Sequence, residues 1–432
     1  MNFIINNAVI IDKHSPYNTK LCNLLIQDGI IKQISEGKIA ASTQAILDIK
    51  GKMLSPGWVD MNTNVTETGS QWDETIDSLL MAACAGGFTE IVLMPNTNPI
   101  IDTANALCSL KNYAYEKNNI VDVHFVGALT KGLNGKELAE LYDMSKNGAI
   151  AFSNGVNWLN DSNLMLQALK YTKMLNNGLI ISIPQDPKLT NEPIVNESIN
   201  TLKLGLKGTA YISESIAIKR DLELTKYTSS KIHFSCLSTK EAIDIIKEAK
   251  THKLNITADT TSHHIYLDDS CLKTFDTNYK VNPPIRSYLD MYALREGLKT
   301  NIINTIVSQH IPSRQEDKMV EFTKASYGIN GIESSFSCIN TSLSESMNIS
   351  DIIEKITYEP RKILNLQKTI ISEGYKAKIT IFDVEKKYTL NDADFKSHAR
   401  NNPFTNQGLN GKAIAVINNN QIIISDNDYN MK

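Results

Sequence analysis

Between Gly57 and Leu364 the sequence alternates short apolar runs with stretches of helical periodicity, and this alternation restricts the fold more than any other feature of the chain. The apolar runs near Trp58–Met61, Ile91–Met94, Val121–Val126, Ala149–Phe152, Leu179–Ile183, Ile232–Ser235, Leu254–Ala258 and Ile303–Val307 read as buried strands. Helical stretches such as Glu74–Ala85, Asn163–Leu175 and Thr239–Thr251 follow several of them. Parallel strands need a crossover of a dozen or more residues, usually a helix. Eight such units imply an α/β protein built on a closed (β/α)8, TIM-like barrel, with its working face at the C-terminal ends of the strands.

The ends of the chain follow a different pattern. From Asn2 to about Met53 short β-rich runs dominate, and Asp28-Gly29 between alternating apolar segments signals a two-residue hairpin. After Leu366 the β signal returns in Ala377-Lys-Ile-Thr-Ile-Phe-Asp, Ala413-Ile-Ala-Val-Ile and Gln421-Ile-Ile-Ile. A tail without a helix cannot easily bury one face alone, so both termini are expected to share one small β-sandwich domain. The expected organisation is 1–53 and 365–432 as the two parts of that sandwich, with 54–364 as the barrel.

Composition excludes some functions. With 44 basic and 47 acidic residues the formal charge is −3, which offers no basis for holding nucleic acid through its phosphates. No apolar run is long enough to span a bilayer, and the first residues lack the basic start of a signal peptide, so a soluble, cytoplasmic protein is expected. The six cysteines lie far apart with no C-x-x-C pair and read as reduced thiols rather than a disulfide framework.

Six further landmarks appear in order. Met94-Pro-Asn-Thr-Asn-Pro follows the second strand, and Gly127-Ala-Leu-Thr-Lys-Gly with Gly135-Lys-Glu-Leu-Ala-Glu follows the third. Later come Lys280-Val-Asn-Pro-Pro-Ile-Arg, Gly328-Ile-Asn-Gly-Ile-Glu and Asn401-Asn-Pro-Phe. Together they resemble the dihydroorotase branch of the amidohydrolase superfamily, along nearly the whole chain. The resemblance implies a barrel that hydrolyses, or in reverse closes, a six-membered cyclic amide with a zinc-bound hydroxide. Zinc lowers the pKa of its water to ~7 and polarises the carbonyl, which is why His and carboxylate ligands must converge on one point.

The positions that the resemblance assigns to this chemistry depart from it. In Pro56–Gly69, the family's H-x-H-x-R becomes Asn62, Asn64 and Thr66, removing two ligands and a substrate-gripping arginine. Asn154 stands where related enzymes offer a bridging ligand. Ile183 takes the ligand position of H-x-E-D and leaves Asp186, which is not a ligand in the family. Cys236 replaces the ligating histidine of H-x-x-H-x-S-T, whose first position is His233. Gln309 replaces the aspartate that would bind metal and carry the proton, and Ser313 a substrate-contacting histidine; an amide is no general base. No metal site and no cofactor are therefore expected, although the family uses zinc.

Several residues carry two readings. Cys236 reads as a small buried hydrophobe rather than a lone zinc ligand. His263-His264 reads as a hydrogen-bonded structural pair rather than a metal site. His310 with Asp60 or Asp186 is the one improvised metal site that the spacing allows. Asn96 and Asn282 match substrate-contacting positions of the family but also suit turns. Ser153 and Ser313 lack spaced His and Asp partners for a serine hydrolase.

The leading expectation is a non-catalytic dihydroorotase homologue. The resemblance places such a protein in pyrimidine biosynthesis, where inactive members serve as structural partners of aspartate carbamoyltransferase, and an oligomer is expected. The alternatives are an active dihydroorotase or related cyclic amidase with an atypical site, and a binder that holds a small molecule in the barrel mouth without turning it over.

Overall fold

The computed structural model describes residues 2–40, 45–65, 74–117, 120–190 and 195–431. The N-terminal portion forms β1 (Asn2–Ile10), β2 (Leu21–Gln27), β3 (Ile30–Ser35), β4 (Ala45–Asp48) and β5 (Met53–Pro56). Asp28 and Gly29, at φ 51° and 72°, turn β2 into β3 as the Asp-Gly signal predicts. The barrel strands are β6 (Trp58–Thr63), β7 (Phe88–Leu93), β8 (Asp122–Ala128), β9 (Ala149–Ser153) and β10 (Ile180–Ser182). A small parallel pair follows, β11 (Val195–Asn196) and β12 (Gly208–Thr209), then β13 (Ile232–Phe234), β14 (Ile256–Thr261) and β15 (Thr305–Val307). The C-terminal portion adds β16 (Ile379–Thr389), β17 (Gly408–Asn418) and β18 (Gln421–Ile424).

The eight barrel strands pair in parallel in the order β6-β7-β8-β9-β10-β13-β14-β15. The two edges meet where Thr63 bridges His310 and the Asn64 N–H donates to the His310 carbonyl at 2.9 Å. The helices at Ile76–Gly86, Ser162–Thr172 and Lys240–Thr251 lie where the periodicity predicts them. Each is capped by a side chain, from Thr75, Asp161 and Thr239 respectively, which satisfies an N–H that the first turn leaves open. Inside the barrel Met61, Val92, Val126, Ala151, Ile181 and Val307 form a dry plug, so the interior is a packed core rather than a channel.

The terminal portions build one shared β domain, as expected, and its strands are hydrogen-bonded into one continuous eight-stranded sheet. Its path is β18-β17-β16-β5-β1-β2-β3, with β4 also on β1. The unbroken path arises because β5 pairs with β1 on one edge and with β16 on the other. Phe3, Ile5, Leu24, Leu54, Ile379 and Ile414 share its core.

Two contacts fix this sheet to the barrel. Trp58 packs between Phe88, Phe336 and Phe382, with ring centroids 4.5 to 5.9 Å apart. Gly87 beside it has φ 90°, and a Cβ there would come within 2.6 Å of the Trp58 ring and 2.7 Å of Ala413. At the opposite end of the strands from the candidate site, buried Glu90 meets Arg361 at 2.9 Å, His124 at 3.0 Å and the ammonium of Lys378, which also reaches Asp122 at 2.7 Å. Among the described residues, no helix is long and apolar enough to cross a membrane.

Burial opposes ionisation of Glu90, but Arg361, the His124 hydrogen bond and Lys378 outweigh it and hold its carboxyl well below the usual carboxylate range. Its stabilisation is therefore complete above the unfolded value near pH 4.3 and is lost as pH falls through the lower folded value. Glu90→Ala leaves Arg361 without its buried partner and is expected to cost about 3–5 kcal/mol in urea unfolding at pH 7. The gap to wild type should shrink as the pH is taken well below 4.

Candidate functional site

The C-terminal ends of the barrel strands bring most of the positions singled out above to one mouth, where several are engaged with protein partners. Asn62 and Asn64 lie at the end of β6 and just beyond it, both buried. The Asn62 amide N–H2 reaches Cys236 Sγ at 3.4 Å and Ser235 Oγ at 3.5 Å. The Asn64 amide donates to the His310 carbonyl at 3.0 Å and to Asn62 Oδ1 at 3.3 Å. The two amides thus link the first barrel strand to the loops after the sixth and eighth. Thr66 lies outside the described residues.

Cys236 is fully buried against Ile183, Met61 and Val92, as expected of a small hydrophobe. Burial, then the nearby Asp259 carboxylate, pushes its thiol well above the usual range, so it is no nucleophile. Its backbone sits at φ 60° and donates to Asp259 Oδ1 at 2.6 Å. Asp259 Oδ2 also accepts from Ser235 Oγ at 2.8 Å and lies 2.8 Å from His233 Nε2. Asp259 is a residue of the mouth that none of the sequence motifs marks. The available signal was a carboxylate inside the apolar strand Ile256–Thr261, where burial demands partners.

Ile183 shares the apolar plug with Cys236, and the remaining positions make contacts of their own. Asn154 turns into the adjacent loops, accepting from Thr130 Oγ1 at 2.6 Å and donating to the Asn157 carbonyl at 2.9 Å. Gln309, at φ 48°, donates to the Asn282 carbonyl at 2.9 Å. Asp186 accepts from the Lys188 N–H at 2.9 Å, and the Ser313 N–H donates to Asn401 Oδ1 at 3.1 Å. The Oδ1 atoms of Asn96 and Asn282 are buried with no hydrogen-bond partner among the described residues.

The histidine pair divides. His264 bonds Thr261 Oγ1 at 2.7 Å and the Pro284 carbonyl at 3.2 Å, whereas neither ring nitrogen of His263 has a partner among the described residues. Burial holds His264 down at about 4 and His310 at about 3, so both rings are neutral at pH 7. The His310 ring nitrogens also lack a partner among the described residues. Burial lifts Asp60 to about 7, in the range of a general base. Its Oδ1, however, accepts from the backbone N–H groups of Asn62 and Ser308, each at 3.1 Å, and so serves the closing seam.

These residues do not fit a catalytic zinc. Among the described residues no three His, Cys, Asp or Glu side chains converge as a metal requires, and the improvised site of His310 with Asp60 or Asp186 does not form. The amides of Asn62, Asn64 and Gln309 present N–H groups to protein acceptors, and an N–H is no metal donor. The cavity lined by Asn154, Gly155, Ser182 and Ile183 holds about 10 Å³, room for roughly one water.

The barrel with a terminal sheet is a fold shared with solved hydantoinases. L-hydantoinase (dihydropyrimidinase) from Arthrobacter aurescens superposes with a TM-score of 0.84 over 98% of this chain and 96% of that one, at 19% identity. A D-hydantoinase gives 0.82 over 100% and 97%, at 20% identity. Sequence narrows the class. A Dihydro-orotase-like family profile matches residues 51–242. The dihydroorotase of Caldicellulosiruptor saccharolyticus is 37% identical over 429 residues, 99% of each chain, and that of Carboxydothermus hydrogenoformans is 34% identical over 420 residues, 96% of each. The chain belongs to the dihydroorotase family.

Asn64→Ala removes the side-chain bonds across the closing seam, leaving the backbone bond to His310, and is expected to cost about 1–3 kcal/mol in urea unfolding. Asp60→Asn should have the opposite sign at high pH. A carboxyl raised to about 7 in the fold loses stability as pH rises from its unfolded value near 3.9. The variant is therefore expected to gain on wild type between pH 5 and pH 8 by the same measurement.

Proposed function

We propose that this chain is a non-catalytic dihydroorotase homologue that serves pyrimidine biosynthesis as a structural partner of aspartate carbamoyltransferase, in an oligomeric assembly in the cytoplasm. One observation carries the reading: Asn62 and Asn64, at positions the family resemblance assigns to metal ligands, spend their amide N–H groups on protein acceptors across the barrel mouth. A neutral amide neither holds a catalytic zinc nor abstracts a proton. Four amides at such positions, Asn62, Asn64, Asn154 and Gln309, also avoid the cost of crowding carboxylates into one cavity without a cation.

The buried, unpartnered oxygens of Asn96 and Asn282 favour a second reading, a small-molecule binder that performs no turnover. Neither residue lines the small cavity beside Asn154, and a cleft of about 570 Å³ lined by Ser313, Arg314 and Tyr327 after β15 is large enough for a small molecule. An active dihydroorotase or related cyclic amidase with an atypical site would need three ligands near Cys236 and His310, and no such set forms among the described residues.

The deciding assay is dihydroorotate ring opening by concentrated protein supplied with zinc, with bound metal quantified in the same sample. The expected result is no stoichiometric zinc and no turnover above the buffer rate, together with co-sedimentation with aspartate carbamoyltransferase. Stoichiometric zinc with turnover would overturn the reading. Carbamoyl aspartate or dihydroorotate should leave the Tm unchanged, whereas a true ligand at a hundred times its Kd adds ~2.7 kcal/mol.

A further inference from the structure

Six asparagines of the chain stand directly before a glycine: Asn134, Asn147, Asn154, Asn177, Asn330 and Asn410. Glycine has no Cβ to shield its nitrogen or to limit its backbone, so in this dipeptide a main-chain N most readily reaches the preceding side-chain amide carbon. Whether it does so in a folded protein depends on how firmly the two groups are held.

Five of the six are held. Asn134 Oδ1 accepts from the Lys136 N–H at 2.9 Å, and the Gly135 N–H donates to Thr130 Oγ1 at 3.0 Å. The Asn147 amide donates to the Asp143 carbonyl at 2.8 Å, and the Gly148 N–H to the Ser145 carbonyl at 3.3 Å. Asn154 is bonded to Thr130 and Asn157, and the Gly155 N–H donates to Ser153 Oγ at 3.1 Å. Asn330 is fully buried, with its amide on the Ala399 carbonyl at 2.9 Å. Asn410 sits within β17, paired with Lys387 of β16. Such bonds and pairings oppose the rotation that would bring each side chain onto the next nitrogen.

Asn177 differs. It lies half-buried in the turn between the helix Ser162–Thr172 and β10. Neither its side-chain amide nor the Gly178 N–H has a hydrogen-bond partner among the described residues. A polar turn of this kind opens at lower cost than a paired strand or a helix. The glycine is also obligatory, because a Cβ there would come within 1.7 Å of the Thr172 carbonyl oxygen. The turn thus requires the very residue that leaves its neighbour open to attack.

We propose that Asn177 is a site of spontaneous deamidation in the folded protein. The Gly178 nitrogen gives its proton to water and bonds to the Asn177 Cγ, while the Cγ–Nδ2 bond breaks and the amide nitrogen leaves as ammonia. Water then opens the resulting succinimide at either carbonyl, giving aspartate or isoaspartate at this position. One water enters and one ammonia leaves, with no oxidant or reductant. The isoaspartyl product lengthens the main chain immediately before Gly178 and Leu179, whose carbonyl receives the Phe152 N–H at 2.9 Å, so the change falls at the entry to the barrel wall.

The test ages full-length protein at mildly alkaline pH, in buffer and in parallel in urea. Each sample is digested under acidic conditions, and the six Asn-Gly peptides are followed by mass spectrometry with fragmentation that separates isoaspartate from aspartate. Asn177→Gln is aged alongside, since glutamine must close a larger and slower ring. In folded wild type, Asn177 is expected to convert at least tenfold faster than the other five, with a rate that rises with pH because the attacking nitrogen must lose its proton. In urea the six rates should draw together, since each asparagine has the same neighbour. The Asn177→Gln peptide should keep its mass.

Conversion of another Asn-Gly ahead of Asn177 in the folded protein would overturn the proposal. So would an equal lead for Asn177 in urea, which would deny the fold any part in the selection. A mass gain that persists in the Asn177→Gln peptide would assign the reaction to Asn176 and overturn it as well.

Discussion

A parallel sheet of eight strands closes into a barrel only if its first and last strands find each other's hydrogen bonds, and here that closure depends on a few buried groups. Thr63 bridges His310, the Asn64 backbone and side-chain amides both reach the His310 carbonyl, and Asp60 receives the Ser308 N–H. Each group is buried, so each would cost free energy if left unpaired. The strand ends are held by amides.

This closure explains the chemical character of the mouth. Asn62 joins the first barrel strand to the loop after the sixth through Ser235 and Cys236, and Asp259 collects Cys236, Ser235 and His233 from the neighbouring strand. Neutral amides can be both donors and acceptors, and so bridge groups that a carboxylate would repel or a histidine would crowd. The imidazoles of His263, His264 and His310 are kept neutral by burial, beside Asp60 whose ionisation burial opposes. Burial thus disfavours charge on these four groups.

The opposite end of the barrel is charged and paired. Glu90 gathers Arg361, His124 and Lys378, and through Lys378 the barrel is tied to the sheet that both termini build. Trp58 and Gly87 add an apolar joint at the same junction, where only a residue without a Cβ fits. Two kinds of bond thus divide the labour: ion pairs and aromatic packing fix the domains to each other, and amides close the barrel mouth.

The sequence by itself determined the element order, the Asp28-Gly29 hairpin, the pooling of both termini and the replacement of ligand-type residues, because periodicity, turn chemistry and residue identity are local. Ile183 and Cys236 are legible as apolar from their chemistry alone. Only the tertiary structure decided what the replacements touch. Asn154 turns away into its own loops while Asn62 and Asn64 stitch the mouth, a difference set by where distant strands fall. Asp259 and Arg286 were invisible as hubs for the same reason: their partners lie 23 to 26 and 48 to 90 residues away. The unbroken path of the terminal sheet likewise follows from β5 offering both of its edges, and pairing of edges is a property of the fold.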